Sequence, residues 1–436
     1  MTATECPLLT RRMLDHPRDS NTLEKYVKTG GYAQAKKAIR MSRVRLVDAI
    51  KTSGLVGRGG AGFPTGEKWD LLGKGDPTYL IVNADESEPG SFKDRQLLER
   101  DPHQIVEGTI IAASANRAKH AFIYVRGEYA KAARRIQRAV DEAYEAGFLG
   151  QGIFGSRKDL DITVHLGAGA YICGEETALI NSLEGRRGGP RLKPPAFPAL
   201  QGLYMQPTIV NNVETIANLP HILELGPDEY RRLGHSDDPG TFLFSVSGHV
   251  NNPGNFEVFH GLTWRDLIFE LAGGIPEGRE LKAWIPGGVS APWLVPSKHL
   301  DLEVSAFSVA EAGSMLGSSG VIVMDETTCV VKATERILRF FARGSCGKCT
   351  PCREGTTWLE RIVGRIENGL GREEDLGLLR EISDHISVGL SFPPKSTTIC
   401  QLGPSCVSSV ISILKYFPEE VEAHIVEKRC PFRKAF

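Results

Sequence analysis

The spacing of hydrophobic positions changes near residue 72. Before it, apolar residues recur at helical spacing, as in SRVRLVDAIKTSGL, and the segment ends in a glycine-rich loop. From residue 73 to about 238, short apolar runs alternate with longer amphipathic segments. The runs TYLIVN, HAFIYV and DITVHL predict strands, and the segments IVEGTIIAASANRA, YAKAARRIQRAVDEAYEAG and EETALINSLEG predict helices. Strands that alternate with helices predict a mostly parallel sheet.

Two further patterns follow this α/β region. Residues 239–328 contain FLFSVSGHV, FEVF and the helical TWRDLIFELAGG, which predict a small α+β module. Residues 329–436 are helical in pattern, with ATERILRFFAR, WLERIVGRIENG, EDLGLLREISDHI and SCVSSVISILKYF. A proline-rich loop, GGPRLKPPAFPALQG, interrupts the α/β region, and a loop of this length inside a compact domain is more often functional than idle.

Composition limits the classes of function. A chain of 436 residues is too long to fold around one hydrophobic core, and its length predicts roughly two to four domains. The 52 basic and 53 acidic side chains nearly cancel, so we expect protein or small-molecule partners and no binding of nucleic acid. We find no apolar run near the roughly 18 residues of a membrane span and no apolar signal core, which favours a soluble, cytosolic chain. Nine cysteines, clustered locally, favour a reducing compartment and a metal site.

Three of these cysteines lie at three-residue intervals in GSCGKCTPCREG: Cys346, Cys349 and Cys352. A turn that doubles back every three residues brings their sulfurs to one side, where they can bind one face of an iron-sulfur cubane. Zinc and unligated surface thiols are the alternatives. Structural zinc sites, however, more often use two separated pairs of ligands, and no histidine is close in sequence. The pattern therefore favours an iron-sulfur cluster.

Spacing alone leaves the fourth ligand open among Cys400, Cys406 and Cys430. Cys430 precedes a proline, as in ferredoxins, whereas Cys400 lies in the turn-rich loop PPKSTTICQLGPS, which is able to fold over a cluster. The three other cysteines are interpreted as ordinary small apolar residues: Cys6, Cys173 and Cys329.

The glycine-rich loop GRGGAG, residues 57–62, matches the dinucleotide-binding pattern G-x-G-x-x-G. What precedes it is a predicted helix and not a strand, so the dinucleotide-fold interpretation fails on context. The loop still allows a ring or phosphate to approach backbone, with Arg58 and Lys68 as cations and Phe63 as a stacking ring. A glycine-rich packing loop is the alternative.

Two loops follow predicted strands. GAGAYICGEET opens a helix, where free N–H groups favour an anion, so we expect a phosphate there. Glu175 and Glu176 lie in its first turn, where they either complement the helix dipole or bind sugar hydroxyls. The loop VNADESEPGSFKDR offers several acceptors that suit a polyhydroxyl chain or ribose, unless it is only a solvated acidic turn. These acceptors are Asn83, Asp85, Glu86 and Glu88.

The motifs GRGGAGFPTGEKW, NADESEPGSFKDR, GAGAYICGEETALINSLEG, NNVETIANLP and SCGKCTPCREG occur in this order. With them the chain closely resembles, over nearly its whole length, the family of NADH-binding flavoprotein subunits of respiratory complex I. The resemblance implies an N-terminal helical segment and glycine-rich loop (1–72) and a Rossmann-like FMN- and NADH-binding α/β domain (73–238). It also implies a ubiquitin-like β-grasp module of SLBB type (239–328) and a four-helix-bundle-like iron-sulfur domain (329–436).

The resemblance also implies ligands at matching positions. FMN would be held by Arg58, Gly59, Gly60, Lys68, Asn83, Asp85, Glu86, Gly174, Glu175, Asn211, Asn212 and Thr215. NADH would meet Phe63, Glu88, Glu176 and Phe197. The family's T-I-C pattern selects Cys400 as the fourth ligand of one [4Fe-4S] cluster. The chain departs from the family at Gly344, usually Glu, and at the extra Ala196 in KPPAFP, which bears on the placement of Phe197.

The implied activity is oxidation of NADH by hydride transfer to FMN, followed by single-electron transfer to the cluster. The implied partners are a thioredoxin-like [2Fe-2S] subunit and a large iron-sulfur subunit, at the inner face of the cell membrane without direct insertion. Two alternatives remain. One is the diaphorase subunit of an NAD-linked hydrogenase or formate dehydrogenase; the other is a zinc-stapled scaffold, which leaves the three ligand loops unexplained.

Overall fold

The computed structural model describes residues 7–235, 238–259, 261–388 and 395–432. Cys6 lies outside the described residues. Five helices precede the first strand: α1 (Arg11–Asp15), α2 (Leu23–Lys28), α3 (Ala33–Ala38), α4 (Arg43–Ser53) and α5 (Thr65–Asp70). The predicted helix in SRVRLVDAIKTSGL is confirmed as α4, where Ser42 Oγ accepts a hydrogen bond from the Arg45 N–H and Gly54, at φ 68°, ends the helix.

The predicted parallel sheet is confirmed. Its strands are β1 (Tyr79–Ala84), β2 (His120–Val125), β3 (Asp161–Leu166) and β4 (Thr208–Asn212), in the order β3-β2-β1-β4 and all parallel. The helices of this region are α6 (Lys93–Arg100), α7 (Pro102–Asn116), α8 (Ala130–Glu145), α9 (Glu176–Leu183), α10 (Pro198–Gln201), α11 (Val213–Leu225) and α12 (Pro227–Arg232). The order reverses between β1 and β4, so the loops after these strands flank a crevice, the usual ligand position in open α/β sheets.

Both faces of this sheet are buried at its central strand, β1. Leu80, Val82 and Ala84 belong to a core shared with α7, α8, α11 and the N-terminal helices, whereas Ile81 belongs to a second core. Successive strand residues point to opposite faces, and a parallel sheet covered on both faces needs apolar residues on each. The second core also includes residues of α9 and of the C-terminal helices, so this face of the sheet shares a core with the C-terminal region.

A second, mixed sheet follows, as the α+β pattern predicted. It contains β5 (Thr241–Gly248), β6 (Gly254–Phe259), β7 (Leu281–Ile285) and β8 (Gly320–Asp325), in the order β6-β5-β8-β7. The β5–β8 pair is parallel, and the β5–β6 and β7–β8 pairs are antiparallel. A π-helical turn (Asp266–Leu271) and the short helices α13 (Pro296–His299) and α14 (Ala306–Glu311) accompany the sheet. Its core contains Phe244, Trp264 and Trp284.

The C-terminal region is helical, as predicted. It consists of α15 (Val330–Gly344), α16 (Thr350–Glu367), α17 (Asp375–Ile386), α18 (Leu402–Tyr416) and α19 (Pro418–Val426), with a two-stranded hairpin of β9 (Ser387–Val388) and β10 (Lys395–Ser396). Helix α15 packs against α16 and α18, and α16 packs against α17. The cysteine triplet lies where α15 connects to α16. No helix in the described ranges combines the length and hydropathy that a membrane crossing requires.

Candidate functional site

A large cleft opens at the carboxyl edge of the parallel sheet. It contains about 1030 Å³ of water-accessible space, enough for a cofactor. Its walls come from the glycine-rich loop, the loop after β1, the segment before α9, two loops of the second sheet region and helix α18. Ten of the residues predicted to bind FMN or NADH line it: Arg58, Gly59, Gly60, Asn83, Asp85, Glu86, Glu88, Gly174, Glu175 and Asn212.

The glycine-rich loop connects α4 to α5 and closes on itself, because the Gly57 N–H donates to the Phe63 carbonyl at 2.9 Å. The Arg58 N–H donates to Thr215 Oγ1 at 2.9 Å, which ties the loop to the start of α11. A Cβ on Gly59 would lie 3.0 Å from the Asn212 side chain, so only glycine fits this approach comfortably. The loop thus presents backbone to the cleft where β4 ends.

The Arg58 side chain is buried and already paired. Its guanidinium contacts Asp238 Oδ1 at 3.1 Å and the Pro239 carbonyl at 2.6 Å, and it lies over the ring of Phe242. Arg58 therefore lies in the wall of the cleft, within the glycine-rich loop. The charge, however, serves to join the loop to the start of the second sheet region.

The loop after β1 supplies the predicted acceptors. Asn83 Nδ2 donates to the Gly174 carbonyl at 2.9 Å, and Asn83 Oδ1 accepts from the Asp85 N–H at 3.0 Å. Burial raises the pKa of Asp85 to about 6. Among the described residues, Asp85 Oδ2 is buried and has no hydrogen-bond partner. A buried acceptor of this kind in a cleft wall fits a hydroxyl donor from a ligand.

The two glutamates of this loop are engaged by protein groups. Glu86 accepts hydrogen bonds from the N–H groups of Asp94 and Arg95 at the start of α6, and burial raises its pKa to about 7. Glu88 accepts from the Tyr171 hydroxyl and from the N–H and hydroxyl of Ser290, each at 2.8 Å. Burial also raises the pKa of Glu88. Both carboxylates are therefore fixed in orientation.

Sequence reasoning missed the charged cluster that follows. Lys93, in the wall of the cleft, forms ion pairs with Asp94 at 2.9 Å and Glu214 at 2.6 Å, and all three side chains are buried. Asn212 Nδ2 donates to Asp94 at 2.6 Å, which links the cluster to β4. Lys93 and Asp94 stand inside the motif NADESEPGSFKDR. Their position next to the acidic residues of this loop was the only feature of the sequence that indicated the charged cluster.

The prediction of a phosphate at the start of α9 relied on free backbone N–H groups there, and two of these groups already have a partner. Residues Tyr171–Gly174 form a short 3-10 turn, and Glu175 then caps α9. Glu175 Oε2 accepts from the N–H groups of Thr177 and Ala178, each at 2.9 Å. Because a carboxylate of the chain already occupies these donors, a phosphate would meet a negative charge there.

Glu176, in the first turn of α9, is paired with two lysines that are distant in sequence. Lys68 contacts Glu176 at 3.0 Å, and Lys193 of the proline-rich loop contacts it at 2.8 Å. Although burial opposes it, the two ammonium groups lower the pKa of Glu176 to about 2. Lys193 also contacts Glu175 at 3.0 Å. The four charges cancel within one cluster beside the cleft.

The remaining predicted residues lie behind or outside the cleft lining. Asn211 Oδ1 accepts from Trp69 Nε1 at 2.9 Å, and Thr215 Oγ1 holds the glycine-rich loop. Phe63 and Phe197 are about half exposed, at 48% and 47%. Phe197 stands at the start of α10, directly after Ala196. The two rings are accessible to a ligand from solvent.

The structure brings four thiols to one pocket: Cys346, Cys349, Cys352 and Cys400. The Ile399 N–H donates to Cys349 Sγ at 3.2 Å, and Ser345 Oγ lies 3.3 Å from Cys352 Sγ. Burial raises the pKa of the Cys400 thiol to about 12, so a bound cation is needed to hold it as a thiolate. Cys406 is buried on α18, and Cys430 lies beside Cys329, so neither lines this pocket.

The cysteine pocket and the cleft share a wall. Ile172, Cys400 and Leu402 line both. Two sites that chain spacing alone could not relate are therefore direct neighbours, which is the arrangement that electron transfer between two centres requires.

Three family models match the chain. They are the Nuo51 FMN-binding domain over residues 50–221, the SLBB domain over 243–291 and the NADH-ubiquinone oxidoreductase-F iron-sulfur binding region over 332–424. The NADH-quinone oxidoreductase F subunit of Streptomyces coelicolor is 52% identical over 419 residues, which cover 96% of this chain and 91% of that protein. The corresponding F 2 subunit of Rhizobium meliloti is 48% identical, and the match covers 98% of this chain and 99% of that protein.

Among solved structures, the chain is similar to the NAD+-reducing [NiFe]-hydrogenase in the H2-reduced state, with a TM-score of 0.82 and 33% sequence identity. The match covers 92% of this chain, which spans 66% of the length of the hydrogenase chain.

Proposed function

The chain belongs to the family of NADH-quinone oxidoreductase F subunits, and from this premise we propose how its residues admit electrons from NADH. It is an NADH-oxidising flavoprotein component that binds FMN and a [4Fe-4S] cluster. The observation that carries the proposal is the wall that the cleft and the cysteine pocket share. Electrons that enter through the cleft have only a layer of side chains to cross.

FMN fits the cleft by three features. The space is large enough, Gly59 leaves backbone exposed beside Asn212, and the unpaired Asp85 oxygen suits a ligand hydroxyl. The residues proposed to hold FMN are those the resemblance implies: Arg58, Gly59, Gly60, Lys68, Asn83, Asp85, Glu86, Gly174, Glu175, Asn211, Asn212 and Thr215. Because Glu175 caps α9, the backbone of the glycine-rich loop is the better-supported position for the phosphate.

The residues proposed for NADH are Phe63, Glu88, Glu176 and Phe197. The two glutamates accept hydrogen bonds from ribose hydroxyls, and the two exposed rings pack against the dinucleotide. When bound, FMN supplies the conversion of a two-electron hydride donor into a one-electron donor. The chain itself orients the reactants and excludes water, and no acid-base side chain is needed for hydride transfer.

The cluster ligands proposed are Cys346, Cys349, Cys352 and Cys400. The donor set is four thiols in one pocket, which suits [4Fe-4S], and the Ile399 N–H and Ser345 hydroxyl are positioned to stabilise bound thiolates. Zinc also binds four thiolates, but a zinc site would leave the adjoining cleft without an electron acceptor.

At larger scale, the mixed sheet is proposed to be a β-grasp module (239–328) and α15–α18 part of a four-helix-bundle-like domain (329–436). The match to the SLBB family supports the first, and the packing of these helices supports the second. The proposed partners are a thioredoxin-like [2Fe-2S] subunit and a large iron-sulfur subunit of complex I, at the inner face of the cell membrane. NADH is the small-molecule partner.

A second candidate is the diaphorase subunit of an NAD-linked hydrogenase, which the similarity to the NAD+-reducing [NiFe]-hydrogenase favours. Isolation of the complex from its source distinguishes the two. Quinone-reducing membrane subunits co-purify with the chain in the first case, and a nickel-containing subunit does so in the second.

The test of the site uses cofactor analysis. Acid extraction should release FMN intact, and the full chain should contain about four iron atoms per chain and a reduced-cluster EPR signal. Cys400→Ser should remove the iron and the signal while NADH oxidation by an artificial dye survives, and the matched control Cys406→Ser should leave both unchanged. Recovery of FAD, or loss of the cluster in Cys406→Ser alone, would refute the proposal.

A further inference from the structure

A second group of metal-binding side chains lies apart from the cysteine pocket. The sulfurs of Cys329 and Cys430, one carboxylate oxygen of Glu367 and one ring nitrogen of His424 all lie within 4.8 Å of one another. Glu367, His424 and Cys430 are buried, and Cys329 is partly buried. The sequence interpretation of Cys329 as an ordinary apolar residue is therefore wrong, since its sulfur contacts polar groups.

Four of the six distances among these atoms are close to those of a tetrahedron around zinc, and the other two are within 4.8 Å. With Zn–S of about 2.3 Å and Zn–N or Zn–O of about 2.0–2.1 Å, the edges are about 3.8 Å for S···S, 3.5 Å for S···N and S···O, and 3.4 Å for N···O. The two sulfurs are 3.6 Å apart, and Cys329 Sγ lies 3.3 Å from His424 Nε2 and 3.5 Å from Glu367 Oε2. The Nε2 to Oε2 distance is 3.4 Å.

The surroundings prepare these groups as ligands. His424 Nδ1 lies 2.7 Å from the Glu420 carbonyl, and the opposite ring nitrogen, Nε2, faces Cys329 and Glu367, which is the orientation in which it can bind a metal. Cys329 caps α15, and its sulfur accepts the Lys332 N–H at 3.3 Å. This hydrogen bond fixes the position of the Cys329 sulfur at the start of the helix.

Contacts of the C-terminal segment with the loop after α16 hold Cys430 close to the other three groups. A Cβ on Gly369 would lie 2.0 Å from the Lys428 carbonyl, so the segment runs directly over the loop after α16. Lys428 Nζ donates to the Gly371 carbonyl at 2.9 Å, two residues further along the same loop. These contacts hold the segment close to Glu367, the last residue of α16.

We propose that Cys329, Glu367, His424 and Cys430 bind one structural zinc ion. Two thiolates, an imidazole and a carboxylate at tetrahedral spacing suit zinc better than magnesium or calcium, which prefer oxygen ligands. With four protein ligands the site is closed to substrate. The ion joins the start of α15, the end of α16, α19 and the C-terminal segment.

The zinc site is remote from electron transfer. Helix α15 separates Cys329 at its start from the cysteine triplet after its end, and its 15 residues span roughly 22 Å. Zinc has no redox chemistry, so its role is to cross-link the helical region. Its presence and that of the iron-sulfur cluster are therefore separable by experiment.

The test measures zinc and iron together in the full chain, purified anaerobically with zinc added and then removed from solution by gel filtration. We expect one zinc per chain, and X-ray absorption at the zinc edge should show two sulfurs at about 2.3 Å and two nitrogen or oxygen atoms at about 2.0–2.1 Å. This measurement on the wild-type chain needs no variant and is blind to iron and flavin.

Variants of the two sites should separate the loss of zinc from the loss of iron. Cys430→Ser and Glu367→Gln should lower bound zinc at least tenfold and leave iron unchanged, whereas Cys400→Ser should remove iron and keep zinc. The matched control Cys406→Ser should keep both metals. A wild-type chain without zinc, a zinc spectrum without sulfur, full zinc retention in Cys430→Ser, an additional iron in place of zinc, or a Cys329–Cys430 disulfide by mass spectrometry would each overturn the proposal.

Discussion

Replacement of Lys93 by methionine tests how the charged wall of the cleft is stabilised. Lys93 is 1% exposed, and its partners Asp94 and Glu214 are 4% and 1% exposed. Methionine preserves most of the side-chain volume but leaves two carboxylates buried without their cation. Removal of one partner from a buried ion pair costs about 3–5 kcal/mol. For a domain of this size we therefore expect a fall in Tm on the order of 10 °C.

The loss of stability in Lys93→Met should depend on pH, and its direction follows from the pKa values of the buried carboxylates. In the native protein burial raises the pKa of Glu86 to about 7, and Lys93 opposes that rise. Without the ammonium group, the buried carboxylates of this cluster are harder to ionise than in the unfolded chain, where such groups have pKa values near 4. Groups with a raised pKa contribute stability at low pH that is lost as the pH rises. The deficit of the variant should thus grow between about pH 5 and pH 8.

The assay is thermal unfolding at fixed scan rate, with excess FMN, at about pH 5.5 and pH 8. Lys131→Met is the matched control, because Lys131 is 63% exposed and its ion pair with Glu99 should contribute less than about 1 kcal/mol. Adding Glu214→Gln to Lys93→Met should recover part of the loss. A Tm within about 2 °C of wild type at pH 8, or a deficit that shrinks with rising pH, would refute the reasoning.

Three further predictions concern other parts of the chain. Glu176→Gln leaves its two lysine partners less neutralised, so the ratio of kcat/KM for NADPH to that for NADH should rise about tenfold, and an unchanged ratio would exclude a role in specificity. Gly108→Ala puts a Cβ 2.2 Å from the Ile216 carbonyl and should lower the free energy of unfolding by about 3 kcal/mol; unaltered urea unfolding would contradict this. Gly344→Ala meets the Tyr171 ring at an ordinary 3.5 Å and should raise the free energy of unfolding by about 0.5–1 kcal/mol with iron content unchanged, whereas a lower Tm would count against it.

The elements themselves could be read from the sequence. The apolar runs of β1, β2 and β3 alternate with helical segments along the chain, and this alternation predicted a mostly parallel sheet because parallel strands are usually joined through helices. The helical spacing of SRVRLVDAIKTSGL predicted α4, and Ser42 and Gly54 cap that helix in the structure. The cysteine triplet was equally local, since its three thiols are three residues apart. Short-range sterics and periodicity decide such features.

Only the tertiary structure decided which distant residues meet. Cys400 reaches the triplet, while Cys430, an equal alternative by spacing, lies 101 positions from Cys329 in sequence and beside it in space. Lys193 neutralises Glu176 because the proline-rich loop folds back on α9, a contact that neither residue's neighbours encode. Lys93 is buried, although lysine is usually exposed. Side chains such as these acquire partners only when sheets and helices pack, because burial and ion pairing depend on separations that local patterns do not specify.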